Sequence, residues 1–195
     1  MILPFRSPRT FSLALLLLAA AAPALRGADA AVVDDFSQPD QTTRGAPRLL
    51  ITDKDAGSQS QASQRCEHGV LLVEGNLVPG RGAPAFVSIP LLLTPDARPQ
   101  DLSTSTGVRL KVKLTQGLLL VQVATADVTN FDFHGAPVAA QRGEFVEVRV
   151  PFKDLKRAWS EQTALNPQAV TSVNLVVFGM APGPFAYEVD EVAFY

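Results

Sequence analysis

Along most of the chain, apolar and polar residues alternate with a period of two. Val108, Leu110, Val112 and Leu114 alternate with Arg109, Lys111 and Lys113, and Val146, Val148 and Val150 alternate with Glu147 and Arg149. Successive side chains of a strand point to opposite faces, so each run predicts an antiparallel strand with one dry face and one wet face. Residues 70–73, 86–93, 118–123 and 173–178 are more continuously apolar and predict central strands or strands covered on both faces. Turn signals separate these runs at Gly80-Arg81-Gly82, Pro95 with Pro99, Gln116-Gly117, His134-Gly135 with Pro137, and Pro182-Gly183-Pro184. Gln116-Gly117 reads as a hairpin turn. Phe185, Tyr187 and Val189 keep one phase and Val192 and Phe194 the opposite one, which predicts a bulge at Asp190-Glu191 in a final strand integral to a sheet. Helix is limited to a turn or two at 153–159 and 166–170, beside Pro151 and Pro167. Many short strands at this spacing predict an all-β sandwich or barrel.

The first 30 residues break this pattern. Arg6 and Arg9 precede an apolar run from Phe11 to Ala22, which is shorter than the roughly 20 residues needed to cross a hydrocarbon layer. It reads as a secretory signal, with cleavage after the small-residue pattern Ala28-Asp29-Ala30, or earlier after Ala24. The expected organisation is a signal peptide over 1–30 and one domain over 31–195, with no linker or internal repeat. No cysteine lies near either cut, so the expected product is unlipidated, not inserted in a membrane, and periplasmic or secreted. The whole chain carries 17 basic and 19 acidic residues; removing the leader's Arg6, Arg9, Arg26 and Asp29 leaves 14 and 18, net −4. That charge argues against nucleic acid and anionic lipid as partners. Cys66 is the only cysteine, so no internal disulfide forms.

Signals of catalysis are thin. The chain lacks a phosphate-binding glycine loop, a Cys-x-x-Cys, a His-x-x-x-His and a Gly-x-Ser-x-Gly elbow. His68 and His134, the only histidines, read as ordinary loop residues. Cys66 and His68 would share a strand face, but nothing supplies an orienting group or an oxyanion site. The acidic pairs Asp34-Asp35 and Asp190-Glu191 are adjacent in sequence and so point apart on a strand, which is unsuited to paired-carboxylate chemistry. Binding signals are better. The polar loop from Asp53 to Ser60 makes Asp53, Gly57 and Ser60 candidate ligand residues; the competing reading is that Asp53 and Ser60 satisfy backbone groups in a tight turn. In Asn130-Phe131-Asp132-Phe133-His134, Asn130, Phe131 and Phe133 are candidates for a sugar, which stacks on rings and bonds to amides; the competing reading packs both rings into the sandwich.

Several stretches together carry a resemblance to one known family. Asp53-Lys54-Asp55-Ala56-Gly57-Ser58-Gln59-Ser60 resembles its Asp-Gly-Val-Met-Gly-Gly-x-Ser signature at Asp53, Gly57 and Ser60, with a more polar loop. Ala85-Phe86-Val87-Ser88 resembles its Gly-Phe-Ala-Ser strand, and Asp101-Leu102-Ser103 its entry into the strand at Gly107 to Lys113. Phe145 to Phe152 is similar to its Trp-x-x-Val-x-x-Pro-Phe segment, with Phe145 for the tryptophan. The likeness, from Val33-Asp34-Asp35-Phe36 to Glu188-Val189-Asp190-Glu191-Val192, is a resemblance to the family of the mitochondrial complex I intermediate-associated protein 30. It implies an antiparallel jelly roll of galactose-binding-like type, similar to carbohydrate-binding modules of family 11. No cofactor is expected; by the same resemblance a structural calcium where the first and last strands meet, with Asp35, or Asp34, and Asp190 as ligands, competes with the reading that these acids are solvated strand-edge charges. The implied function is an exported, non-catalytic binding or assembly module acting on a protein partner. A carbohydrate-binding module is the alternative, and an enzyme comes third.

Overall fold

The computed structural model describes residues 32–195, so the leader and its cleavage sites lie outside the described residues. The alternating segments form eleven strands: β1 (Val32–Asp34), β2 (Ile51–Thr52), β3 (Gln61–Glu67), β4 (Val70–Leu77), β5 (Ala85–Leu92), β6 (Gly107–Gln116), β7 (Leu119–Thr125), β8 (His134–Pro137), β9 (Val146–Pro151), β10 (Val170–Gly179) and β11 (Gly183–Phe194). One sheet has the order β3-β4-β11-β6-β9, with β1 also on β11; the other runs β2-β5-β10-β7-β8. Every pairing is antiparallel. Only β3 to β4 and β7 to β8 stay within a sheet; all other connections cross between the two, which makes an antiparallel jelly-roll sandwich. Helix is confined to short 3-10 turns such as Phe152–Asp154 and Pro167–Ala169. Among the described residues no helix is long and apolar enough to cross a membrane.

The inward phases of the two sheets meet in one core. Leu110, Val112 and Val189 from the first sheet and Ile89, Val121 and Leu175 from the second are fully buried. Each such side chain contributes about 1.5–3 kcal/mol by leaving water. Pairing of β11 with β6 shifts register between Val189 and Glu191, and this bulge lets Val192 and Phe194 return to the core after the phase change. The last strand is the centre of its sheet, flanked by β4 and β6.

Three local expectations need correction. Gln116-Gly117 does not close a hairpin, because β6 and β7 belong to different sheets. A glycine between two apolar runs marks a change of direction, but it carries no information on which sheet receives the next strand. His134-Gly135 is not a turn: residues 134–137 form β8, paired with β7. A Cβ on Gly135 would lie 2.8 Å from Gln122 Cγ, so the glycine permits close cross-strand approach there. His134 is accordingly no loop residue; it is fully buried, with Nε2 2.9 Å from the Thr163 carbonyl. The third is an addition. β3 follows the period-two rule, but its inward side carries only Ala62, Gln64 and Cys66, too weak a contrast to stand out in sequence. It joins β4 through His68-Gly69, both at positive φ (53° and 78°), the backbone of a tight two-residue hairpin.

Candidate functional site

The predicted loop between β2 and β3 is a 3-10 turn, Asp53–Ala56, ended by Gly57 at φ 83°. Asp53 and Ser60 are fully buried. The Asp53 carboxylate accepts from Ser60 N–H (3.2 Å), Ser60 Oγ–H (2.7 Å) and Phe86 N–H (2.9 Å), while Ser60 Oγ accepts from Val78 N–H (3.0 Å). The pair therefore ties this turn to the start of β5. Ser58 does the same toward Gly80, accepting its N–H at 2.9 Å. These hydrogen bonds are all made inside the protein, as in the tight-turn reading.

The acids proposed for calcium are placed apart in their bonding. Asp35 accepts from Ser37 N–H, Ser37 Oγ–H and Thr43 Oγ1–H, contacts that hold its carboxyl below the usual range. Asp190 is paired with Lys111 on the outer surface. Asp34 is buried and bound by Arg48 through Nε (3.0 Å) and Nη2 (2.7 Å). Arg48 also donates to the carbonyls of Gln38, Pro39 and Gln41, riveting the 35–48 segment. The cation answering the carboxylate at the first-and-last-strand junction is thus a guanidinium. Asp34 and Asp190 are already answered by Arg48 and Lys111, and among the described residues no group of three or more His, Cys, Asp and Glu side chains gathers as for a metal. Cys66 lies against Arg48 Nη1 at 3.1 Å, and burial pushes its thiol pKa up, opposite to what a nucleophilic thiol needs.

The outward faces of the two sheets differ. On the six-stranded sheet, β6 presents Arg109, Lys111 and Lys113, and β11 answers with Glu191, Asp190 and Glu188. Glu147 of β9 pairs with Arg109 and Arg149, and Arg65 of β3 with Glu67 and Glu74. The charges of this face are matched across strands. On the five-stranded sheet, register sets Phe86 beside Phe178, then Ser88, Val176, Leu120 and Pro137 in one row, and Pro90, Asn174, Gln122 and Gly135 in the next. Ile51 of β2 flanks Ser88. At one end of this face the apolar residues stay in solvent: Ile51 is 43% exposed, Leu118 48% and Phe178 39%, and Met180 follows just beyond β10. In its middle, Ser172 Oγ donates to Asn174 Oδ1 (2.8 Å). Among the described residues the Asn174 NH2 and the Gln122 amide have no protein partner.

Asn130, Phe131 and Phe133 lie at the other end, in and just after the loop from β7 to β8. Phe131 is 77% exposed, whereas Phe133 is half-buried and meets it edge to face at 6.2 Å. Asn130 is bonded to Ser160 and Arg157 of a second loop, which carries the exposed Trp159. Leu118, Phe178, Asn174 and Gln122 were not legible as surface residues, because their runs read as covered strands. The usable signal was the minor phase of β10, where Ser172 and Asn174 alternate with Val173, Leu175 and Val177.

A family model described as complex I intermediate-associated protein 30 matches residues 35–189. The chain belongs to this family. No curated protein matches it in sequence. Among solved structures, it is similar to the family 11 carbohydrate-binding module of the cellulase Lic26A-Cel5E of Clostridium thermocellum, with TM-score 0.59, 11% identity, and 85% of this chain and 93% of that one covered. A structure of a Clostridium thermocellum family 11 module in complex with a β-1,3-1,4-mixed-linked tetrasaccharide gives TM-score 0.58, 12% identity and coverage of 84% and 94%. A family 30 carbohydrate-binding module gives 0.52, 12%, and 85% and 98%. At such identities the likeness is one of fold. The complex I intermediate-associated protein 30 family member described here thus shares the jelly-roll architecture of these modules.

Proposed function

We propose that the chain is an exported, non-catalytic module that binds a protein partner through the outward face of its five-stranded sheet. The observation that carries this reading is the cluster of exposed apolar residues, Ile51, Leu118 and Phe178 with Phe86 between them. Contiguous apolar surface of this kind marks protein contact sites. The family's name, an intermediate-associated protein, supports an assembly role, and the structural neighbours named as binding modules support a non-catalytic one. Export is supported by the leader pattern and is tested by fractionation: a full-length cytoplasmic product would contradict it. The binding face is tested with the double variant Leu118→Asp/Phe178→Asp. The wild-type chain should retain a stoichiometric partner from its native extract and the variant should not, at unchanged melting temperature. Equal retention by both would remove this face from the proposal.

A further inference from the structure

At the β7 end of the molecule, about 25 Å along β10 from Phe178, two loops brace each other and hold large rings in water. The Asp132 carboxylate, 1% exposed, accepts from the N–H groups of Ala158 (2.8 Å), Trp159 (3.1 Å) and Ser160 (2.6 Å). Arg157 Nε donates to the Asp132 carbonyl (3.2 Å) and Nη2 to Asn130 Oδ1 (2.9 Å), and Asn130 Nδ2 donates to Ser160 Oγ (2.9 Å). Burial works against ionisation of Asp132, but the Ser160 side chain and the three N–H groups prevail and hold its carboxyl below the usual range. The brace is therefore anionic at neutral pH. On it stand Phe131, 77% exposed, and Trp159, 68% exposed, from different loops. Phe131 takes φ 62°, a left-handed conformation that is unfavourable for a non-glycine residue.

We propose that Phe131 and Trp159 form a stacking platform for a neutral oligosaccharide, a site separate from the protein-binding face. The surroundings select this occupant. A lipid surface needs rings flanked by excess cations, whereas here Lys156 and Arg157 are offset by Asp127, Glu161 and the ionised Asp132 that Arg157 contacts. A protein core contact needs contiguous apolar area, whereas the stretch between these rings carries Asn130, Arg157, Ser160 and Gln162. Among the described residues Arg157 Nη1 has no acceptor. Rings for C–H faces beside a free donor for a hydroxyl are what a pyranose chain requires. Because the hydrogen-bonded brace fixes the loops in advance, little ordering remains to oppose binding.

Trp159 is the only tryptophan, so its emission reports this site alone. The exported chain is titrated with a panel of neutral tetrasaccharides: mixed-linked β-1,3-1,4-glucan, β-1,4-mannan and N-acetylglucosamine oligomers. The expected result is a saturable emission change with at least one sugar. Phe131→Ala should weaken it at least tenfold, and the remote Lys111→Ala should leave it unchanged. No response to any sugar overturns the proposal, as does a response equal in Phe131→Ala and wild type. An emission shift with phosphatidylcholine–phosphatidylglycerol vesicles in place of sugar would overturn it in favour of a lipid surface.

Discussion

The two sheets turn faces of opposite character to solvent although both have the same alternating build. On the six-stranded sheet the outward cations of β6 are each paired with an anion of β11: Arg109 with Glu191, Lys111 with Asp190 and Lys113 with Glu188. On the five-stranded sheet the same phase holds Phe86, Val176, Phe178, Asn174 and Gln122; Val176 and Asn174 are buried, Phe178 is 39% exposed, and no charge pair crosses the strands there. A face whose charges are paired in place gains little from a new contact, since an incoming group must displace a partner already present. A face left apolar and unpaired gains from being covered. Under the proposed function, the two sheets have separate roles, one as support and one as contact surface.

Disturbing the edge of the open sheet should have the largest effect. Asp53→Ala strands the N–H of Ser60 and Phe86 and the Ser60 hydroxyl, and should cost about 3 kcal/mol in urea unfolding; a loss under 1 kcal/mol would contradict the anchoring role of the Asp53–Ser60 pair. On the closed face, Lys113→Ala removes a partly exposed ion pair with Glu188 and should cost under about 1 kcal/mol. On the open face, Phe178→Asp should cost less than about 1 kcal/mol, because the ring is partly in water. A loss of 2 kcal/mol or more there would show that the ring belongs to the core and would erase the contrast between the faces. The smallest effect is spectroscopic. An unfolded Asp titrates near 3.9 and the folded Asp132 lies lower, so its stabilisation is complete above that value and is lost only as pH falls through the lowered one. Trp159 emission should stay flat from pH 7 to about pH 4 and change below it; a transition centred above pH 5 would contradict the Asp132 brace.

Strong alternation made most of the sandwich readable. β6 and β9 were visible because charged and aliphatic residues alternate there without exception, and the bulge at Asp190 because the phase reverses. β3 escaped notice since its half-buried side holds Ala62, Gln64 and Cys66, and β8 since His134-Gly135 has the composition of a turn. Sheet membership of β7 was hidden because local pattern does not specify a partner. The same limit applies to the sites. Asp53, Ser60, Asn130 and Phe131 could be singled out from loop composition, but the contact of Asp132 with residues 158–160 depends on two loops meeting through the fold. Leu118 and Phe178 were hidden for another reason: an apolar residue on the outward phase of an apolar strand looks the same in sequence whether the face is covered or bare.

The central claim, that the five-stranded face is the contact surface and the six-stranded face is not, is tested most directly by site-specific photocrosslinking in the native compartment. A photoreactive phenylalanine analogue is placed at Phe178 in one variant and at Lys111 in another, and crosslinked protein is compared. The account predicts a discrete adduct at position 178, abolished by Leu118→Asp, and none at position 111. An adduct at 111 with none at 178 would contradict it.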